Sequence, residues 1–460
     1  MNHPNLLFVF PDQMRGQAMG FLNEEPVLTP ALDRFSKEGL FLPNACATYP
    51  VCSPYRAMLM TGKYPFSNKV IANCNSNSEP MGVELQESDR CWSDVLKDKD
   101  YSLGYIGKWH LDAPKKPYID CRNNRGEVKW NEWCPPGRRH GFDFWYSYGT
   151  YNRHNRPMYW STAAKREEYH FVEQWEPEHD ADTAIEYIKN EGGSYRRPDK
   201  PFALTVSMNP PHSPYELVPD RYVQEYSRFS GSELCDRPNI PPEESEWGAY
   251  YRENIRNYYA MITGVDYQFG RILDALEENG LADNTIVVFT SDHGNCLGIH
   301  SEISKNNFYE ESLRVPFIIR WPGKIPERRD DLLFSAPDIY PTLLDLMGFG
   351  DDIPAEVEGS SFAEVFQGGF QKRPSSQFCM RIGWKERNRG WRAVRNHTYT
   401  FAVTRDAENR EEYHLFNNRE DPYQLTNRAS DNPEILAELH RELEGWMEKT
   451  GDFSDSKFTI

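Results

Sequence analysis

No stretch of about 18 or more apolar residues runs through this chain, so no segment reads as a membrane-spanning helix. Its nine cysteines contain no CxxC pair and no structural-zinc spacing. An odd, scattered set also argues against a disulfide framework, and most of these cysteines read as buried free thiols suited to a reducing compartment. Neither a Walker loop nor a GxGxxG turn is present, so the common nucleotide cradles are absent. Positive charge is scarce. Lys and Arg number 52 against 70 Asp and Glu, and the formal net charge of -18 excludes a broad nucleic-acid footprint. Any anionic substrate must therefore meet a locally built positive site. The opening MNHPNLLFVFPDQ has no basic start, apolar core or cleavage site of a leader. As it stands it points to a cytoplasmic protein, or to a periplasmic or secreted one if a leader has been removed.

What the chain does have is aromatic bulk. The hydrophobic fraction is 38%, but 14% of residues are Phe, Trp or Tyr, enough for a large packed core in 460 residues. Short apolar runs alternate with amphipathic segments, the pattern of an α/β sheet with covering helices. NLLFVF (5–10), SLGYIG (102–107), PFALTVSM (201–208), NTIVVFTSD (284–292) and VPFIIRW (315–321) read as buried strands. Helices fit TPALDRFSKEG, YYAMITGVDYQFGRILDALEENG and APDIYPTLLDLMG, with Gly280 and Gly348 ending two of them. Residues 112–175 read as a long irregular stretch rich in Trp, Tyr, Arg and His, too aromatic for disorder. Beyond about residue 370 the texture changes to antiparallel strands and an amphipathic helix. The expected organisation is a catalytic unit over 1–370 and an α+β subdomain over 371–460.

Two strand ends carry candidate metal ligands, Asp12 with Gln13 and Asp292 with His293; oxygen donors with one imidazole suit a divalent ion such as Ca²⁺, Mg²⁺ or Mn²⁺. Taken alone, such an aspartate is more often a cap or turn residue. A second group is basic: Lys108 and His110 in GKWH, which fall on one side if the strand persists, His212 in PPHSP, and His300 and Lys305 in LGIHSEISK. Singly, each also reads as a surface lysine or a structural histidine. Cys52, four residues before Arg56, leaves open a redox thiol, a metal ligand, a buried hydrophobe or a precursor of something more reactive.

The order and spacing of PDQ, CSPYRAMLMTG, GKWH, PPHSP, SDHGNCLGIHSEISK, YEESLRVPFIIRWPG and LFNNREDPYQLTN resemble the formylglycine-dependent sulfatases of the alkaline phosphatase superfamily, over essentially the whole chain. The most specific element is Cys52-x-Pro54-x-Arg56 followed by Leu59 and Thr61-Gly62. The resemblance implies a central mixed, mostly parallel sheet sandwiched by helices, with a smaller C-terminal subdomain. It implies that a formylglycine-generating maturation enzyme oxidises Cys52 to 3-oxoalanine, whose hydrate attacks sulfur. Asp12, Gln13, Asp292 and His293 would hold one divalent ion, with Ca²⁺ placed first and Mg²⁺ or Mn²⁺ as alternatives. Arg56 would support the modified residue, Lys108 and Lys305 would contact sulfate oxygens, His110 would assist the formylglycine hydroxyl, and His212 would protonate the leaving oxygen. His300 would line the pocket.

Departures matter. Many members carry Asp-Asp and Asp-Asn where this chain has Asp12-Gln13 and Asp292-His293, a set resembling choline sulfatases and phosphonate or phosphate ester hydrolases of the superfamily. Retention of GKWH favours a sulfatase; Tyr55 stands at a variable position where serine is commoner. The expected substrate is a sulfated carbohydrate, on the strength of a loop holding Trp145, Tyr146, Tyr148, Tyr151, Arg153, His154, Asn155, Arg156 and Trp160, in which rings would stack on sugars and Arg153 and Arg156 would pair with anionic groups. GWKERNRGW (383–391) would add basic contacts. The alternatives are a small-molecule aryl or choline-type sulfatase, a phosphonate or phosphodiester hydrolase, and a non-catalytic sulfated-glycan binder. Neither a nucleic acid nor a membrane is an expected partner, and the sequence leaves the oligomeric state open.

Overall fold

A computed structural model describes residues 3–383 and 386–452. Every residue of the strand Asn5–Val9 is buried, because alternate side chains enter different cores: Leu6 and Phe8 pack on one face of the sheet, Leu7 and Val9 on the other. A strand of this kind belongs in the middle of a covered sheet. It pairs in parallel with Phe202–Ser207 on one side and Thr285–Thr290 on the other. Ser102–Lys108 and Phe144–Tyr148 extend the parallel set beyond Phe202–Ser207. Beyond Thr285–Thr290 lies the antiparallel Phe317–Arg320, then the two-residue strands Leu40–Phe41 and Arg328–Arg329, completing eight strands. The sheet is thus mixed and mostly parallel.

The helix Glu246–Glu278 covers the Leu7 face. Its first turn is capped by Ser245, whose Oγ accepts from Gly248 N at 3.1 Å. On the opposite face the helix Cys52–Thr61 is buried along its full length. Pro54 sits in its first turn, where no intrahelical donor is needed, and Gly62 ends it in a left-handed conformation at φ 65. A Cβ on Gly62 would lie 2.9 Å from Tyr340, so both backbone angle and space require glycine there. Gly62 thereby has a structural reason to end the segment that follows the cysteine.

The C-terminal part is an antiparallel meander of Gln377–Ile382, Gly390–Arg395, Tyr399–Arg405 and Glu411–Asn417. The helix Pro433–Lys449 lays Leu439, Leu443 and Met447, one stripe at four-residue spacing, into the same core as Phe378 and Phe401. Trp391 Nε1 donates to Asn306 O at 3.0 Å, tying this sheet to the loop that carries Lys305. Trp384 and Lys385 of the basic stretch lie outside the described residues.

Three expectations need correction. The stretch 112–175 is not wholly irregular, since Phe144–Tyr148 is an edge strand of the main sheet and Met158–Tyr159 pairs with His170–Phe171. The strand that enters GKWH stops at Lys108, and His110 takes φ 53, so alternation along a continuing strand does not place the two side chains. The loop rings Trp145, Tyr148, Tyr151 and Trp160 are each at most 4% exposed, and Tyr146 is half-buried against Tyr159. They pack against the sheet edge and one another, which removes them as faces on which a sugar could stack.

Candidate active site

The parallel strands deliver their polar residues to one edge, beyond the carboxyl ends, where α/β sheets bind ligands. Asp12 and Gln13 follow Asn5–Val9, Lys108 closes Ser102–Lys108, His212 follows Phe202–Ser207, and Asp292 and His293 follow Thr285–Thr290. Cys52 is the first residue of its helix and points at this edge, with Arg56 one turn further on the same face. The residues converge closely. Cys52 Sγ lies 3.4 Å from His293 Nε2, 3.8 Å from Asp12 Oδ1, 3.3 Å from Lys305 Nζ and 3.9 Å from Lys108 Nζ.

Each carboxylate divides its oxygens between two tasks. The Oδ2 atoms of Asp12 and Asp292 each accept from Arg56 Nη2 at 3.1 Å, and Asp12 Oδ2 also takes Lys108 Nζ at 2.7 Å. The Oδ1 atoms lie 3.6 and 3.5 Å from His293 Nε2. Arg56 is fixed further by Lys108 O at 2.7 Å and Ser207 Oγ at 2.8 Å, and its guanidinium lies over the Phe10 ring. Lys305 Nζ donates to Gln13 Oε1 at 3.1 Å.

Burial shapes the charges. It pushes the Asp12 carboxyl up, but Lys108, Lys305, His212 and His293 more than offset this and hold it well below the usual range. Asp292 is pushed up to about 6 by burial and by the charge of Asp12, against His293 and Arg56. The Cys52 thiol is raised by burial and Asp12, yet Lys108, Lys305 and His293 hold it well below its ordinary value. His212 is lowered by burial, then by Lys305 and Lys108. Burial also lowers His110, whose Nε2 faces Cys74 O at 3.2 Å.

Asp12, Cys52, Asp292 and His293 present ligand atoms all within 4.8 Å of one another. Two carboxylate oxygens and an imidazole nitrogen facing one space, with their other sides already neutralised by Arg56, fit a divalent cation.

His300 has partners of its own: its Nε2 lies 3.3 Å from Glu311 Oε2 and its ring stacks on Tyr309 at 3.8 Å. Arg156 is committed to Glu173 and lies over Phe171, and Arg153 is half-buried beside Tyr151. Sequence reasoning missed Asn209, fully buried, whose Oδ1 accepts from Lys108 Nζ at 3.1 Å. Its only signal was a position just past a strand end, shared with many turn asparagines. Trp130, half-buried with its ring 6.3 Å from that of His110, was also missed.

A mostly parallel sheet with paired carboxylates, clustered cations and a cysteine at a helix start defines a hydrolase built to receive an anionic ester. The family model "Sulfatase" matches residues 4–349 and "N-sulphoglucosamine sulphohydrolase, C-terminal" matches 298–449. The chain belongs to the sulfatase family and is a sulfuric ester hydrolase. It is 38% identical to an endo-4-O-sulfatase of Bacteroides thetaiotaomicron, over 98% of this chain and 93% of that protein. It is 31% identical to an ulvan-active sulfatase of Formosa agariphila, over 92% of this chain and 76% of the relative. A crystal structure of a Bacteroides fragilis protein assigned to the sulfatases superposes with a TM-score of 0.94 at 49% identity, covering 100% of this chain and 98% of the other. Among the described residues, no helix is long and apolar enough to cross a membrane.

Proposed function

We propose that the enzyme removes an O-sulfate from a sulfated glycan, with residue 52 as nucleophile after oxidation. The observation that carries this reading is the convergence of Lys108 and Lys305 on Cys52 Sγ, at 3.9 and 3.3 Å, in a chain of net charge -18. The similarity to carbohydrate sulfatases supports the substrate class. Once installed by a maturation enzyme, 3-oxoalanine 52 would supply the nucleophile as its hydrate, and a divalent cation, Ca²⁺ first with Mg²⁺ or Mn²⁺ as alternatives, would polarise sulfate and nucleophile. Asp12, Gln13, Asp292 and His293 would hold that cation.

Lys108 and Lys305 seat the sulfate oxygens and oppose the charge that grows on them, in a water-poor site where such contacts are strong. Arg56 bridges the two carboxylates, offsetting their mutual repulsion, and fixes the cysteine helix against the sheet edge. His110, buried and lowered in basicity, accepts a proton from the nucleophile. His212 Nδ1 faces Ser213 O at 2.7 Å, which leaves Nε2 to give a proton to the leaving alcohol. The negative charge of bound sulfate favours the protonated ring that burial and the lysines disfavour in the free site.

The test is sulfate release from defined sulfated mono- and oligosaccharides after co-expression with a maturation enzyme. Release by wild type, none by Cys52→Ala, and an intact mass showing the aldehyde form the expected result. Undiminished release by Cys52→Ala, or turnover of phosphorus esters alone, overturns the reading.

A further inference from the structure

Behind His212, away from the reacting atoms, two ionisable groups lie in full burial. His154 and Glu176 are both 0% exposed, and His154 Nδ1 is 2.9 Å from Glu176 Oε2. The other ring nitrogen, Nε2, is 2.8 Å from the backbone carbonyl of His212. A carbonyl can only accept, so Nε2 donates to His212 O, while Nδ1 pairs with the Glu176 carboxyl group. Glu176 does more than hold the ring. Its Oε1 accepts from Asn209 N at 3.3 Å and from the Tyr148 hydroxyl. The segment from Asn209 to His212 is therefore gripped at both ends by one buried pair. Asn209 in turn receives Lys108 Nζ at 3.1 Å.

Nothing in packing alone calls for this arrangement. A buried polar pair is often no more stabilising than apolar residues of the same volume, so its value lies in fixing geometry. What it fixes is the main chain that carries the proton donor to the leaving group. We infer that His154, oriented by Glu176, is a positioning residue for His212, holding its ring at the one distance from which it can protonate the departing sugar oxygen. This deepens the sulfatase reading and rests on it. Misplacement of a reacting group by about 1 Å costs on the order of a hundredfold in rate, which sets the scale of the effect.

The experiment is a double-mutant cycle on the mature enzyme with a sulfated oligosaccharide, kcat being normalised to the aldehyde content read by intact mass. His154→Ala is expected to lower kcat about a hundredfold in the wild-type background, with KM changed less than about threefold. In a His212→Ala background the same substitution is expected to cost less than about threefold, because the group it positions is gone. His154→Gln, which retains a donor for the His212 carbonyl, is expected to recover at least part of the loss, and it runs the same cycle if the alanine variant does not fold. Equal losses in both backgrounds, or kcat within about threefold of wild type for both His154 variants, overturn the inference. Full activity of His212→Ala itself would instead sink the assignment of the proton donor, leaving the two failures distinguishable.

Discussion

Replacing Arg56 by Met removes the group that spans the carboxylates of Asp12 and Asp292. The wild-type guanidinium makes four contacts of 2.7 to 3.1 Å, to two carboxylates, one carbonyl and one hydroxyl, at 1% exposure. Methionine fills similar volume but leaves two buried anions facing each other across the empty place. Breaking a buried pair by deleting one partner costs about 3–5 kcal/mol. Unfolding entropy of roughly 2.1 cal/mol/K per residue over 460 residues is about 1 kcal/mol/K, so Tm is expected to fall by about 3–5 °C. Arg56→Lys keeps the charge but cannot reach all four acceptors from a single ammonium, and about half the loss is expected. Differential scanning fluorimetry reads this whether or not residue 52 has been oxidised, which separates folding from maturation. An Arg56→Met protein melting within about 1 °C of wild type would refute the argument that this arginine carries the electrostatics of the site.

Burial holds His110 and His212 below their ordinary basicity, so the unfolded chain binds protons that the folded one resists. Their contribution to stability is complete above about pH 6.5 and is lost as pH falls toward the depressed folded values; Tm should decline from pH 7 to 5.5, with a flatter slope in His110→Gln, and an unchanged slope contradicts the assignment. Trp145, 1% exposed, should lose about 3–5 kcal/mol on change to Ala, seen in the melt. If Trp130, whose ring lies 6.3 Å from that of His110, contacts the sugar, Trp130→Ala should leave Tm within about 1 °C but raise KM for a sulfated oligosaccharide roughly three- to tenfold, and an unchanged KM contradicts that contact. Gly107 has φ +90, and a Cβ there would sit 2.1 Å from Ser207 O. Gly107→Ala should therefore push apart the strands carrying Lys108 and Ser207, lowering kcat sharply, and wild-type kcat in a soluble variant would show that the strands can give way.

Much of the site was legible because strand ends are legible. Asp12, Lys108, His212 and Asp292 each follow an apolar run, and the cysteine signature sits at the start of a helix. Distance along the chain hid the rest. Nothing local joins His154 to Glu176, 22 residues on, or marks Asn209 among ordinary turn residues. The aromatic loop misled for a definite reason: large rings near a site read as binding faces, yet the same area is what an exposed sheet edge needs for cover, and Trp145 and Trp160 are spent there. Lys108 and His110 reach the same neighbourhood by a sharp left-handed turn rather than by strand alternation, and a period-two reading cannot foresee that turn.

The strand nearest the amino terminus lies between two partners made much later, Phe202–Ser207 and Thr285–Thr290. On a ribosome, that central slot does not exist until residue 290 has emerged, and Cys52, 2% exposed in the finished fold, cannot be sealed against this edge before then. At about 5–20 residues per second, the roughly 240 residues made in between give a window on the order of 10–50 s. Chain order alone thus leaves Cys52 unsealed over that interval and buries it only once Thr285–Thr290 has joined the sheet.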